Sequence, residues 1–487
     1  MTEAAGADLL RGFAEAKRAR ATWEAHWREC YDHTLPANEA AERAVPGSKR
    51  SNRLFDGTAT DAVGQLAASL LAQLTPPWSR WFRLSPGPDV SAGDRATVAE
   101  ALERAGEVLQ SHFDRSNFAM EAHQCYLDLA VAGTASLLFE EEAPGRGSAF
   151  RFSAVPLFET ALEEGPGGAL DVTWRRSALT PAQLRQRFPD APLPDTDGQE
   201  GERRIGVVER VAPGRDGYAY HAVLDRTDGA VMLASGTFER SPFVNFRWLK
   251  APGESYGRSP VMQALPDIKT ANKVVELVLK NASIAVTGIW QADDDGVLNP
   301  ATVRLVPGAI IPKAIGSNGL KPLEAPGRFD VSQLVLEDLR ARIRHALLAD
   351  RLGQVESPRM TATEVLERSA EMARVLGATY GRLQSEFLSP LVERGLSILR
   401  RRGEIPDIRI DGRLVELRYS SPLAEIEAQD EVRKTLLWLQ SAAALGPEGA
   451  AAVDAAAAAR WMGRKLGVPG ELIREPLPLA VGVGDGL

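Results

Sequence analysis

The sequence has 487 residues, 44% of them apolar, 25% charged and 6% aromatic, enough for a large core and about three ordinary domains. A small disulfide scaffold and a wholly disordered chain are excluded. With 57 Lys+Arg against 65 Asp+Glu the net charge is −8, so no global basic field draws the chain to nucleic acid or a membrane, and any DNA contact has to be local. Cys30 and Cys125 are the only cysteines, too few for a Cys-only zinc site and suited to a reducing cytoplasm. The start of the chain lacks a signal-peptide pattern, and apolar stretches such as Ala62 to Leu74 are too short to span a bilayer, so a soluble protein is expected.

From Ala7 to Thr34, residues Leu9, Phe13, Ala16, Trp23, Trp27 and Cys30 fall on one face and predict a long opening helix that ends at Leu35-Pro36. A second apolar stripe, Val63, Leu66, Ala67, Leu70, Leu71 and Leu74, stops at Thr75-Pro76-Pro77. Helical patterns fill roughly 94–133, and Thr134 to Glu142, Phe150 to Val155 and Leu170 to Arg175 read as strands. Thr180 caps a short helix with Pro181 at its first position. A β meander follows in Arg204 to Val211, Tyr218 to Asp225, Val231 to Ser235 and Phe243 to Trp248. The first half is therefore predicted to be α+β.

The second half is mostly helical around one Gly/Pro-rich island from about Trp290 to Arg328. Ser259-Pro260 caps a helix in which Val261, Leu265, Ile268, Asn272, Val275, Leu279, Ala282 and Val286 form a heptad seam with one polar interruption. After the island, Asp330 and Gln333 form a capping box and Phe329 and Leu334 a hydrophobic staple, opening a helix with Leu336, Leu339, Ile343 and Leu347 that runs to about Asp350. Gly353 to Arg359 breaks it. A second box, Thr361 and Glu364 with Met360 and Val365 as staple, opens a helical run to about Arg402, with a kink expected at Ser389-Pro390. Ile408 to Tyr419 reads as a hairpin around Asp411-Gly412, and two Ala-rich helices, roughly 425–445 and 448–466, close the pattern.

Three segments invite a chemical reading. Gly253-Glu254-Ser255-Tyr256-Gly257 has the form of a nucleophile elbow with Ser255 as nucleophile, but Pro252 and the turn Arg258-Ser259-Pro260 separate strand from helix, and the alternating β/α pattern of a hydrolase is missing. His26, Cys30 and His33 can share a helix face as metal ligands, yet Trp23, Trp27 and Tyr31 make that face read as aromatic packing, with no fourth ligand. Asp293-Asp294-Asp295-Gly296 lacks the remaining spacing of a calcium loop, and no Gly-Lys-Ser/Thr phosphate loop occurs. No cofactor is implied. Lys269, Lys273, Glu276 and Lys280 form a stripe one residue round from the seam, and Arg340, Arg344, Arg351 and Arg359 follow on the next helix and its break. Such a stripe is most often a solvated face, but basic side chains on two long neighbouring helices can also touch phosphates without reading bases.

The blocks Leu54-Phe55-Asp56-Gly57-Thr58, Leu74-Thr75-Pro76-Pro77-Trp78-Ser79-Arg80-Trp81-Phe82 and Phe246-Arg247-Trp248 leading into Gly253 to Pro260 resemble the head-to-tail connecting (portal) protein family of short-tailed, podovirus-type phages. So do Ala264 to Lys269, Pro307 to Ile311, Met360 to Val365, Arg382 to Glu386 with Pro390-Leu391, and Tyr419 to Ala424, all in family order; the last 60 residues match weakly. The resemblance implies a ring, in this family usually of twelve copies, at the portal vertex of a virion assembled in the host cytoplasm. Double-stranded DNA would pass through it. Its partners would be the terminase large subunit, tail adaptor or nozzle proteins, and major capsid and scaffolding proteins, with no membrane and no catalysis of its own.

The same resemblance implies an α+β, mainly helical portal-type subunit. Residues 1–258 would be the wing, 259–286 and 329–351 the stem helices, 287–328 the clip, 352–360 the tunnel loop, 361–424 a kinked wing helix and hairpin, and 425–487 a helical crown. DNA-channel residues would be Lys269, Lys273, Lys280, Arg340, Arg344, Arg351 and Arg359, with Gly353, Gln354, Val355, Glu356, Ser357 and Pro358 in the tunnel loop. Leu265, Ile268, Asn272, Val275 and Leu279 would pack subunit on subunit.

Overall fold

The computed structural model describes residues 3–36, 53–77, 79–91, 93–191, 204–225, 230–287, 290–292, 315–316, 320–322, 329–352, 376–408, 410–419, 422–466, 468 and 473. The fold mixes helix and strand, as the alternation of patterns predicts. The opening helix is α1 (Glu3–Thr34), followed by α2 (Thr58–Leu74), strand β1 (Phe82–Pro86), α3 (Arg95–Asp114) and α4 (Phe118–Ala132). Gly133, left-handed at φ 75°, ends α4 and turns the chain into β2 (Thr134–Glu141), which pairs with β3 (Phe150–Val155). Six consecutive residues of β2 are buried, because helices and aromatic rings cover both of its faces. Trp81, Phe82, Phe113, Phe118, Phe139 and Phe152 form one cluster there, with Phe139 and Phe152 centroids 4.3 Å apart.

Next come β4 (Thr160–Glu163), β5 (Val172–Leu179), the short α5 (Pro181–Arg187), β6 (Ile205–Gly214), β7 (Gly217–Leu224), β8 (Met232–Phe238) and β9 (Phe243–Arg247). Strands β4 to β8 form an antiparallel meander in sequence order, whereas β9 leaves it to complete the sheet β3-β2-β9. The Thr180 hydroxyl accepts from the Gln183 N–H and the Gln183 side chain returns the bond, so the cap expected from Thr-Pro forms in full. The two layers are joined through α1: Phe13 packs on Trp174 of the meander, and buried Arg20 donates to the carbonyls of Leu157 (2.9 Å), Phe158 (3.0 Å) and Thr160.

The long helix α6 (Pro260–Thr287) follows, then the ribbon β10 (Trp290–Ala292) with β11 (Leu320–Pro322), α7 (Phe329–Ala346) and the short α8 (Ala349–Leu352). Ser259 caps α6 as expected, accepting from the Met262 N–H at 2.9 Å. Two expectations at α7 fail. The helix starts at Phe329, which places Asp330 inside the first turn rather than at the cap, and Leu334 is 71% exposed, so it staples nothing. The helix also ends early, at Ala346, where Leu348 takes a left-handed φ of 59° ahead of α8. The second capping box and the expected break at Gly353 to Arg359 lie outside the described residues.

A π-helical turn, Gln384–Leu388, runs into α9 (Ser389–Arg401). This is the physical form of the kink expected at Pro390, since the missing proline N–H breaks the regular ladder one turn back. The hairpin expected at Ile408 to Tyr419 is not formed: β12 (Val415–Tyr419) pairs antiparallel with β1, while Asp411 Oδ1 accepts three backbone N–H groups to fold the turn before it. The expected final pair of helices is α10 (Pro422–Ala444), α11 (Pro447–Ala451) and α12 (Ala455–Lys465), because Asp454 restarts the helix by accepting the Ala457 N–H.

Candidate functional site

Helices α6 and α7 lie side by side and are held by one loop. The Asn272 side chain of α6 accepts from the N–H groups of Phe55 (2.6 Å) and Asp56 (3.1 Å) and donates to the Arg53 carbonyl (2.8 Å). From α7, Arg340 pairs with the Asp56 carboxylate at 2.8 Å. Burial alone would raise the Asp56 carboxyl, but its bonds to Thr58 and Arg340 outweigh this and hold it below its ordinary value. Arg342 and Asp267, 2.9 Å apart, bridge the two helices directly. The polar interruption of the heptad seam is therefore a clamp on residues 53–56.

Leu265, Ile268 and Asn272 are 6%, 3% and 8% exposed within their own chain, so this stretch of the seam has no surface left for a neighbour and builds the subunit's own core. Val275 is half-buried and Leu279 is 52% exposed, which means the seam opens along the helix. Among the basic residues, Lys269 pairs with Glu29 of α1, and Lys273 and Lys280 both hold Glu276, at 2.9 and 2.6 Å. Those two bonds keep the Glu276 carboxyl below its usual range. Arg340 is taken up by Asp56, whereas Arg344 is exposed and has no ion pair among the described residues. Arg351 lies in α8, its side chain outside the described residues, as are Gly353 to Pro358 and Arg359.

The blocks that carry the family resemblance meet in space. Arg247, fully buried at the end of β9, forks onto Glu386 of the π turn (2.7 Å), reaches Glu164 (3.2 Å), and donates to the carbonyls of Ser255 (2.9 Å) and Gly168 (2.7 Å). Arg382 adds a second cation to Glu386 at 2.9 Å. In the turn 253–257, Tyr256 inserts edge-on against Trp27 at 5.0 Å and takes the Leu162 N–H on its hydroxyl. A Cβ on Gly257 would collide with the Gly133 carbonyl, so the last glycine of this motif serves close backbone packing. Here the resemblance marks joints between distant segments.

The family model described as bacteriophage head to tail connecting protein matches residues 7–473. The chain belongs to this family. It is 26% identical to a probable portal protein of Bordetella phage BPP-1, over 96% of this chain and 88% of that one. It is also 25% identical to the portal protein of Salmonella phage epsilon15, over 88% and 81%, and 23% identical to that of Escherichia phage T7, over 89% and 82%. A chain from the virion of a native gene transfer agent particle aligns at a TM-score of 0.35 and 13% identity, over 85% of this chain and 94% of that one.

In this head to tail connecting protein neither enzyme reading finds support. Ser255 gives its carbonyl to Arg247 inside a structural turn. Cys30 is buried beside Trp27 and Tyr31, its thiol pushed up to about 12, and no group of three His, Cys, Asp or Glu side chains among the described residues is placed to hold a metal. Nor is any helix among the described residues long and apolar enough to cross a membrane. The sequence reading missed the partnership of Arg247 with Glu386. Its only trace was an arginine within a strand pattern otherwise rich in aromatic and aliphatic residues, a position where a charge needs a buried partner.

Proposed function

We propose that copies of this chain close into a ring of twelve at the portal vertex of a capsid, leaving a channel for double-stranded DNA during packaging and ejection. The observation that carries this reading is the family match over residues 7–473. The wing, 1–258, would meet major capsid and scaffolding proteins. The clip, 287–328, would dock the terminase large subunit and later the tail adaptor. Packaging work would come from that separate motor in the host cytoplasm, and the finished ring would stay in the virion.

A conduit works best when it holds DNA weakly, because each neutralised phosphate adds salt-sensitive affinity and slows sliding. The acidic subunit, at −8, suits that role. Arg344, exposed and free of ion pairs among the described residues, is the first candidate to guide phosphate, and Arg351, Arg359 and the tunnel-loop residues 352–360 implied by the resemblance are the next. Negative-stain microscopy of the purified chain tests the assembly, with closed rings and an open centre expected. A monodisperse monomer at high protein concentration would overturn it. Particles built with Arg344→Ala are expected to package DNA with altered length or retention.

A further inference from the structure

Beyond the clamp, the outer faces of α6 and α7 are unlike each other. On α6, the buried positions Leu265, Ile268 and Asn272 define one side, and at about 100° per residue Lys273, Leu277 and Lys280 point away from it. All three are exposed, Leu277 by 48%. On α7, Leu339, Ile343 and Leu347 are the buried side, and Leu334, Glu337 and Asp338 stand opposite, all exposed. One chain thus displays, on α6, two exposed lysines flanking a leucine, with an excess of one positive charge after the half-buried Glu276 that both lysines hold, and, on α7, two exposed carboxylates one turn from a leucine.

Their heights match. The Asp267–Arg342 bridge, together with Asn272 and Arg340 meeting the same loop, shows that the two helices run antiparallel. Residues 273–280 of α6 therefore lie within about one or two turns of 334–338 of α7 along the helix pair. Rotation about an axis parallel to this pair would bring one face of a copy to the other face of the next without a shift in level. Two different complementary patches on one chain make a heterologous contact, which closes into a ring when the rotation permits.

We propose that the Lys273, Leu277, Lys280 face of α6 docks on the Leu334, Glu337, Asp338 face of α7 in a second copy of this chain. The leucines bury each other, and the charges set partner and register. The proposal rests on the ring reading above and assigns Lys273 and Lys280 to the neighbouring subunit rather than to DNA. A like-charged face cannot fill the site, so copies are expected to join only α6 to α7.

Charge reversal on the full chain tests it, with assembly read by mass photometry and negative stain and folding by circular dichroism and thermal melting. K273E/K280E alone and E337K/D338K alone are each expected to stay folded, with the circular dichroism of the wild type and a cooperative melt, and to lose the ring species at concentrations where the wild type is assembled. Combining all four substitutions is expected to restore rings. If the wild type forms rings and either pair leaves them unchanged, or if the combination fails to restore them while remaining folded, this assignment is overturned and the ring reading stands. A folded wild type that forms no rings overturns both.

Discussion

The joint around Arg247 and the outer half of the α6–α7 pair handle charge and apolar surface in opposite ways. At the joint a buried guanidinium meets two carboxylates and two carbonyls, all from its own chain. Farther along α6, Lys273 and Lys280 pair with Glu276 of the same helix, and leucines stand half in solvent. The first region is satisfied within its own chain, and the second leaves apolar and charged side chains exposed. Substitutions should separate the two, because loss of a closed network is read in folding while loss of an open face is read in assembly.

The largest effect is expected from Arg247→Met, which leaves the Ser255 and Gly168 carbonyls without their donor and the half-buried Glu386 and Glu164 with only Arg382 and Lys250; breaking a buried pair costs about 3–5 kcal/mol, and the two remaining cations set the expected loss at or below that range. Denaturant unfolding of the dissociated subunit would measure it. Asp128 comes next. It is buried with the Tyr31 hydroxyl 2.7 Å away, and burial pushes its carboxyl up to about 7. Well below pH 4 the carboxyl is protonated in both states. Between about 4 and 7 only the folded state keeps the proton, so stability falls as pH rises, by at most about 1.4 kcal/mol per unit, and above 7 the loss is constant. Asp128→Asn is expected to remove that slope from a series of pH-dependent melts.

Asn272→Leu makes the heptad seam regular but leaves the backbone groups of residues 53–56 without their partners, an expected loss of about 1–3 kcal/mol with faster proteolysis in that loop. The smallest change in folding is expected from Leu277→Ser, within about 0.5 kcal/mol for the dissociated subunit because the side chain is already half exposed. A destabilisation there as large as that of Ile268→Ser would erase the distinction between the two regions.

Local signals were legible in the sequence and distant ones were not. Thr180-Pro181 and Ser259-Pro260 cap helices through bonds spanning three residues, and the meander strands follow from alternation and turn chemistry. The partner of Asn272 lies 216 residues away at Asp56, and no periodicity records it. The heptad seam could be read, but whether it faced its own chain or another depended on where the core ends along α6. Leu334 was misread for a related reason, since a staple needs a partner and spacing alone does not supply one.

The pairing of β1 with β12 bears on how the chain is made. Pro86 lies opposite Val415, 329 positions later, so the first strand leaves the ribosome long before its sheet partner among the described residues exists. At about 5–20 residues per second that interval is on the order of 15 to 65 seconds. Throughout it β1 presents unpaired backbone next to Trp81 and Phe82, an exposed edge able to pair with another nascent chain. A chain released before Tyr419 lacks the strand that covers β1 and is expected to associate through that edge.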